Sequence, residues 1–451
     1  MIRVALVNPP FSKLVYGEEH TIKSITPCLG LFYLQSYCDD IAHIKVFEGE
    51  FYDSMVHLIA AIGEFEPDIL GVTTNTTTWP LCAQLARASN ARLKLCGGPY
   101  AAFRVDECLQ DFDAVFLGDG EVSLRRLLES GGNLRATPGI GWRDADLKVH
   151  RNVSAPLIEL DEIPYPNHDQ MQLGLYQSSP HRDLPEPFAT MVTTRGCGFR
   201  CTFCLSAVGG LNNGRYRERS VTNVVGELKV LRSEHGIRSI QFWDDTFTMR
   251  KSRTREMCAA LSELDIAYIC NTRTDKIDAE TADLLARSGC KGVFFGVESG
   301  AQLVLDGDHK KGVVNQQVVD AVDHCKRAGI RTTTSFIFGS IDDTSDTIEE
   351  SIAFSLELDS DYILYNIYTA HPGTAGYARA VREGVIDHYG VDILRWTGEP
   401  VGVPTICKNL PREKLHRLKT EAYIRYYRRR GEYIYAGIIE TYESELARMG
   451  G

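Results

Sequence analysis

With 451 residues, the chain is long enough for two or three domains, each with a core of its own. Hydrophobic content of 43% and charged content of 24% exclude a disordered or fibrous chain, and a formal charge of -11 excludes a general nucleic-acid binder, which needs basic surface. That balance suits a small hydrophilic substrate, neutral or cationic. The N-terminus enters a strand-like apolar segment without a basic n-region and cleavage site, and no apolar run approaches the ~20 residues of a membrane span. The expected location is cytoplasmic, with no membrane partner. Thirteen cysteines without framework spacing then read as reduced thiols plus whatever site they build.

In chain order, "IRVALVNPP", "IKVFEG", "ILGVTTN", "RLKLCGG" and "AVFLGDGE" are apolar runs ending in Gly, Pro, Asn or acidic residues, separated by helix-length segments. They predict an α/β domain over residues 1–135, a doubly wound (Rossmann- or flavodoxin-like) parallel sheet with ligands at its carboxyl edge. "NPP", "TTNTTT", "CGGPY" and "GDGE" fall on that edge, and no GxGxxG or GxxxxGK[ST] pattern opens a helix there. Residues 136–187, broken by prolines and polar turns, predict a short hairpin and a linker. Over 188–380 the alternation resumes with "FATMVTTRGC", "SIQFWDDTF", "IAYICNTRTD", "GVFFGVESG", "RTTTSFIFGS" and "YILYNIYTA". Six strand–helix units predict a partial (βα)6 TIM-like barrel with its chemistry at the carboxyl strand ends. Residues 381–451 predict a short helical tail. From Pro411 on, nine Lys/Arg stand against six Asp/Glu, which reads as a closing helix with a solvated basic face.

The stretch "TTRGCGFRCTFCLS" follows the first barrel strand and places Cys197, Cys201 and Cys204 within eight positions. Thiolates so close, with Gly196 and Gly198 beside them, suit an iron–sulfur cluster. The alternative, a closed zinc site, wants a fourth ligand, and the next cysteine is Cys258. Three protein ligands leave one iron of a four-iron cluster open to a cosubstrate.

This stretch resembles the signature of the radical S-adenosylmethionine (radical SAM) superfamily. "SIQFWDDTFT", "FFGVESGAQLVL", "GSIDDTSDTIEESI" and "YTAHPGT" resemble, in order, strand ends of the members that carry an N-terminal cobalamin-binding domain, and "PCLGLFYLQSY", "LGVTTNT", "CGGPYAA" and "FLGDGE" resemble that domain. The resemblance implies that Cys197, Cys201 and Cys204 hold a [4Fe-4S] cluster whose open iron chelates S-adenosylmethionine, cleaved reductively to a 5′-deoxyadenosyl radical. It places Phe203 beside the adenine, Asp244 and Asp245 at the methionine ammonium, Arg273 at its carboxylate, and Glu298, with Ser299, at the ribose or amino group. The family's usual Gly-Gly-Glu is absent at Asp244. Around the sixth strand, Tyr362, Tyr365, Asn366, Tyr368 and His371 are candidates to meet the substrate, though alternation lets only every second strand residue face inward. Of these, Tyr362, Asn366 and His371 are the expected catalytic set.

Cobalamin stays open: none of His20, His43, His57 or His150 has the Asp-x-His context of the cobalt-binding loop, and Tyr100 stands where related sequences commonly carry histidine. With cobalamin, the substrate radical takes a methyl group. Without it, the radical resolves by dehydration of a 1,2-diol. Length, short tail and acidic balance resemble the radical SAM diol dehydratase of apramycin (aminoglycoside) biosynthesis. A lyase acting on an amino sugar in antibiotic biosynthesis is therefore the expectation, and a cobalamin-dependent C-methyltransferase the alternative. The implied partners are an external one-electron donor of flavodoxin or ferredoxin type and a reductase for the product. A third reading, a non-catalytic iron–sulfur electron carrier, is opposed by the missing fourth cysteine.

Overall fold

The computed structural model describes residues 1–11, 24–178, 184–207, 215–309, 312–386, 405–431, 433 and 435–449. His20 and part of the tail expected from residue 381 lie outside them. The chain divides into two compact units, one built mainly of Met1–Gly198 and Val208–Trp243, the other of Phe199–Ala207, Asp244–Val391 and Val403–Gly451.

In the first unit, strands β1 (Ile2–Asn8), β2 (Ala42–Glu48), β3 (Ile69–Thr73), β4 (Leu93–Gly97), β5 (Ala114–Phe116), β6 (Ile140–Arg143) and β7 (Val149–Arg151) form one sheet in the order β2-β1-β3-β4-β5-β6-β7. The first five pair in parallel, and the β6–β7 hairpin adds an antiparallel edge. Residues Val4–Val7 are buried without alternation, as a strand covered on both faces must be. Helices α1 (Leu29–Cys38), α2 (Met55–Glu64), α3 (Trp79–Ala88), α4 (Pro99–Phe103) and α5 (Glu121–Glu129) lie between the strands in sequence. Ser54 caps α2 by accepting from the His57 N–H. The unit also holds β8 (Phe188–Met191), parallel to β11 (Ser239–Phe242), and a two-residue ribbon of β9 (Thr194–Arg195) with β10 (Arg217–Glu218). Between β10 and β11 runs α6 (Val221–His235), capped by Ser220 and closed by Gly236 in the left-handed conformation.

The second unit carries β12 (Ala267–Thr272), β13 (Cys290–Glu298), β14 (Arg331–Phe338) and β15 (Tyr362–Ile367), parallel and paired in chain order. Among its helices are α7 (Lys251–Ser262), α8 (Ala279–Arg287), α9 (Asn315–Arg327), α10 (Ser345–Glu357), α11 (Ala375–Arg382), α12 (Arg412–Gly431) and α13 (Ala436–Met449). The fold is α/β and parallel-rich, with the predicted doubly wound sheet and the six predicted strand–helix strands all present. Among the described residues from Pro411 on, two helices stand where one was expected, and tyrosines cement them: Tyr423 stacks on Tyr442 with centroids 4.8 Å apart. Its arginines make ion pairs, Arg425 with Glu349 (2.7 Å) and Arg430 with Asp359 (3.0 Å).

Outward and inward faces separate by their partners. Tyr268 of β12 shares a hydrogen bond with Ser288 just after α8 (2.7 Å), and Tyr365 of β15 with Ser355 of α10 (2.6 Å). Both therefore face the helix layer. The opposite face of β13–β15 carries Phe294, Thr333, Ser335, Tyr362, Leu364 and Asn366, matched across the strands by register. Among the described residues, no helix is long and apolar enough to cross a membrane.

Candidate cofactor-binding site

Gly196 opens the cysteine loop at φ +83°, and a Cβ there would lie 2.3 Å from the Arg215 carbonyl oxygen, so only glycine fits. Cys197 belongs to the first unit, Cys201 and Cys204 to the second. All three are half-buried thiols outside any disulfide, and the Cys204 N–H donates to the Cys201 carbonyl at 3.2 Å, closing a tight turn. Burial pushes the Cys204 thiol up to about 11, so thiolate character there has to come from a bound metal, which deprotonates a coordinating thiol outright. Among the described residues, no three Cys, His, Asp or Glu side chains gather as they would around a single metal ion. Three reduced thiols on one loop fit a cluster that takes each thiolate on a different iron.

Cationic support comes from Arg273, at the end of β12. Its Nη1 lies 3.7 Å from the Cys201 sulfur, and its guanidinium stacks 3.6 Å over the Phe199 ring. The fork predicted to meet the methionine carboxylate is already engaged with Asp275, at 2.8 and 3.0 Å. What remains on Nη1 faces the thiol. A hydrogen bond and a positive charge at a cluster sulfur raise the reduction potential. Arg273→Leu is therefore expected to move the cluster potential on the order of 60 mV more negative, the one-electron equivalent of a tenfold change. A dye-mediated EPR titration measures it, and an unchanged potential refutes this role for Arg273.

Thr202, between Cys201 and Phe203, donates its hydroxyl to the Asp308 carbonyl, and its own carbonyl accepts from Gly376 N–H at 2.9 Å. The Phe203 ring meets His309 edge-on at 5.3 Å and Tyr368 at 6.5 Å. His309, buried, contacts the Ser340 hydroxyl through Nε2 at 2.6 Å. On the far side of the loop, Ser206 donates to exposed Asp245 at 3.0 Å, while Asp244 is fully buried and its carbonyl accepts from Asn271 at 3.4 Å.

Glu298 ends β13 at φ +73°, where the register with β14 slips. A non-glycine residue in that conformation costs free energy, and such strain gathers at functional positions. Slip and strain together re-aim the buried carboxylate. The Ser299 hydroxyl, by contrast, is spent on Ser351 (3.0 Å) and the Ala301 N–H (3.1 Å). Tyr362 and Asn366 share the inward face, with Asn366 donating to Ser335 at 3.0 Å. Tyr365 points away from it, and Tyr368 packs on Phe203. His371 sits in the turn before α11, its carbonyl accepting from Thr374, and burial lowers its imidazole pKa.

The first unit holds a cavity of about 300 Å³ over the carboxyl ends of β1, β3, β4 and β5. Glycines Gly30, Gly71, Gly97, Gly98, Gly118 and Gly120 are among its lining residues, with no histidine among the described ones. Tyr100 is 2% exposed, stacks on Trp79 at 5.0 Å, and does not line the cavity. A largely apolar wall with glycines that allow close approach to the backbone fits the broad face of a macrocyclic cofactor.

Residues 191–355 match the model of the radical SAM superfamily. The uncharacterized methyltransferase PH0819 of Pyrococcus horikoshii is 31% identical over 445 residues, which cover 95% of this chain and 93% of that one. The chain belongs to the radical SAM superfamily. As a radical SAM enzyme it uses a [4Fe-4S] cluster and S-adenosylmethionine. Among solved structures, the radical SAM methyltransferase TsrM from Kitasatospora setae, with cobalamin and a [4Fe-4S] cluster bound, superposes with TM-score 0.68 at 19% identity, covering 85% of this chain and 75% of that one. OxsB, a cobalamin-dependent radical enzyme solved with aqua-cobalamin and S-adenosylmethionine, gives 0.74 at 18%, covering 94% and 67%. At these identities the likeness is one of fold. Both neighbours hold the cobalamin that the sequence alone left open.

Sequence reasoning passed over Phe199, Asp275, His309 and Arg195. Phe199, Asp275 and Arg195 lie inside quoted stretches, yet their residue types carried no signal until the fold gave them partners.

Proposed function

We infer that this radical SAM enzyme is a cobalamin-dependent methyltransferase acting on a carbon of a small substrate. The observation that carries the reading is the glycine-walled cavity at the carboxyl edge of the first sheet, in a chain that matches a methyltransferase along almost its whole length. The alternative named from the sequence thereby overtakes radical dehydration. The expected dehydration of an amino sugar rested on net charge and length. Yet the inward face of β13–β15, up to Glu298, presents Phe294, Thr333, Ser335, Tyr362, Leu364 and Asn366, none of them acidic. Hydroxyls, an amide and apolar groups suit an uncharged part of a substrate.

When bound, the cluster with S-adenosylmethionine supplies hydrogen abstraction, and cobalamin supplies the methyl group. Cys197, Cys201 and Cys204 would hold the cluster, and Arg273 would offset charge at Cys201. Phe203, braced by His309, would flank the adenine. Buried Asp244, Asp245 and re-aimed Glu298 would accept from the ammonium and ribose of S-adenosylmethionine. Tyr362 and Asn366 would orient the substrate. His371, kept neutral by burial, would offer the substrate an uncharged hydrogen-bonding group. Electrons would come from an external donor of flavodoxin or ferredoxin type.

Balance gives the test. Each methyl placed on a C–H carbon consumes two S-adenosylmethionines and two electrons, and yields methionine, 5′-deoxyadenosine and S-adenosylhomocysteine. Anaerobic turnover with hydroxocobalamin should produce 5′-deoxyadenosine and S-adenosylhomocysteine in equal amounts, with the methyl label from S-adenosylmethionine in the product. Formation of 5′-deoxyadenosine with a product lighter by one water, and without S-adenosylhomocysteine, would restore dehydration.

A further inference from the structure

Two motifs far apart in the chain meet at the wall of the cavity in the first unit. Arg195, in β9, stands two positions before Cys197. Its Nη2 lies 2.6 Å from Glu121 Oε1, at the start of α5, and its Nη1 3.3 Å from Asp119 Oδ2, in the loop after β5; both belong to the "GDGE" stretch. The guanidinium also lies over the Tyr33 ring of α1, 5.4 Å from its centroid. Tyr33, Asp119, Glu121 and Arg195 all line the cavity. Arg217, which pairs with Arg195 across the β9–β10 ribbon, donates to Asp119 as well. Between Arg195 and Cys197 lies only Gly196, whose left-handed backbone is pressed against Arg215. The main chain from the cavity wall to the first thiol is therefore short and constrained on both sides.

We propose that Arg195 is a positioning residue that ties the cluster loop to the occupant of this cavity. The inference rests on the cobalamin reading above. Both terminal nitrogens of the guanidinium face carboxylates, Glu121 and Asp119, that border the same space. An occupant that orders the "GDGE" loop orders Arg195 with it, and through Gly196 it restrains Cys197. The planar fork matters because it presents two nitrogens to the two carboxylates in a fixed geometry, which a single flexible ammonium does not.

The restraint can be read without turnover. Iron release from the reconstituted, oxidised cluster to a chelator is timed anaerobically, with and without saturating hydroxocobalamin, while cobalamin retention is followed by its visible spectrum. The wild type should release iron several-fold more slowly with cobalamin bound. Arg195→Lys and Glu121→Gln, each compared at a hydroxocobalamin concentration that saturates it by its own visible spectrum, should lose that protection. A merely structural defect would change the basal release rate but not the ratio between the two conditions. Equal protection in the wild type and both variants overturns the proposal, as does a wild type that retains cobalamin but gains no protection. A wild type that retains no cobalamin overturns the methyltransferase reading, and this inference with it.

Discussion

Cys201→Ala should abolish 5′-deoxyadenosine formation while leaving the chain folded. Three thiolates bind three irons of a four-iron cluster and leave one open, and alanine offers no ligand in place of the third. Iron content should fall from about four per chain, and the broad absorbance of the cluster with it. Unfolding would not be the cause. Cys201 is half-buried on a loop, outside the apolar clusters, and Arg273 keeps its bidentate bond to Asp275 when the thiol is gone. The thermal midpoint of the unloaded protein should correspond to a change of under about 1 kcal/mol, as for substitutions outside a packed core. The measurements are an iron assay, circular dichroism and chromatography of the nucleoside product. Continued 5′-deoxyadenosine formation at a comparable rate would refute the ligand assignment.

The second large effect concerns the cavity. Gly118 lines it, and a Cβ built there meets nothing within 4 Å, so the backbone accepts a side chain while the space in front of it fills. Gly118→Phe should weaken hydroxocobalamin retention about a hundredfold or more, since a bulky ring in a preformed site removes contacts that nothing nearby can restore. Iron content and S-adenosylmethionine cleavage should persist, and labelled methyl transfer should stop. Gly98 would be a poor choice for this test, because it sits at φ +98° with a Cβ position 2.7 Å from the Thr74 carbonyl oxygen. A substitution there would strain the fold itself. Unchanged cobalamin affinity in Gly118→Phe would remove the cavity from the cobalamin reading.

Much of the architecture is legible in the chain because its signals are local. Val4–Val7, Ile69–Val72 and the other buried parallel strands are continuous apolar runs punctuated by Gly, Pro and Asn, and each became a strand near where it was expected. The cysteine loop is local as well: spacing within eight residues and an obligatory glycine are both written in sequence. Tertiary partners are not. Nothing in "NTRTD" tells that Arg273 turns back on Asp275 and leaves Nη1 for Cys201. Nor does composition show the face of the sixth strand, which decides that Tyr362 and Asn366 look inward while Tyr365 bonds to Ser355 in the helix layer.

The reaction's chemistry ran the same way. Three thiolates with no fourth are a statement about ligand count, and count and spacing survive without a fold, so the radical SAM character was determined by the sequence itself. The outcome of the radical was not. It turns on whether the glycines around the carboxyl edge of the sheet, scattered over some ninety positions from Gly30 to Gly120, help enclose a cavity, and on whether Tyr100 enters it. Only the folded sheet brings those strand ends together, and only packing against Trp79 turns Tyr100 away. Enclosed space is a property of surfaces distant in the chain, and one-dimensional pattern carries no measure of it.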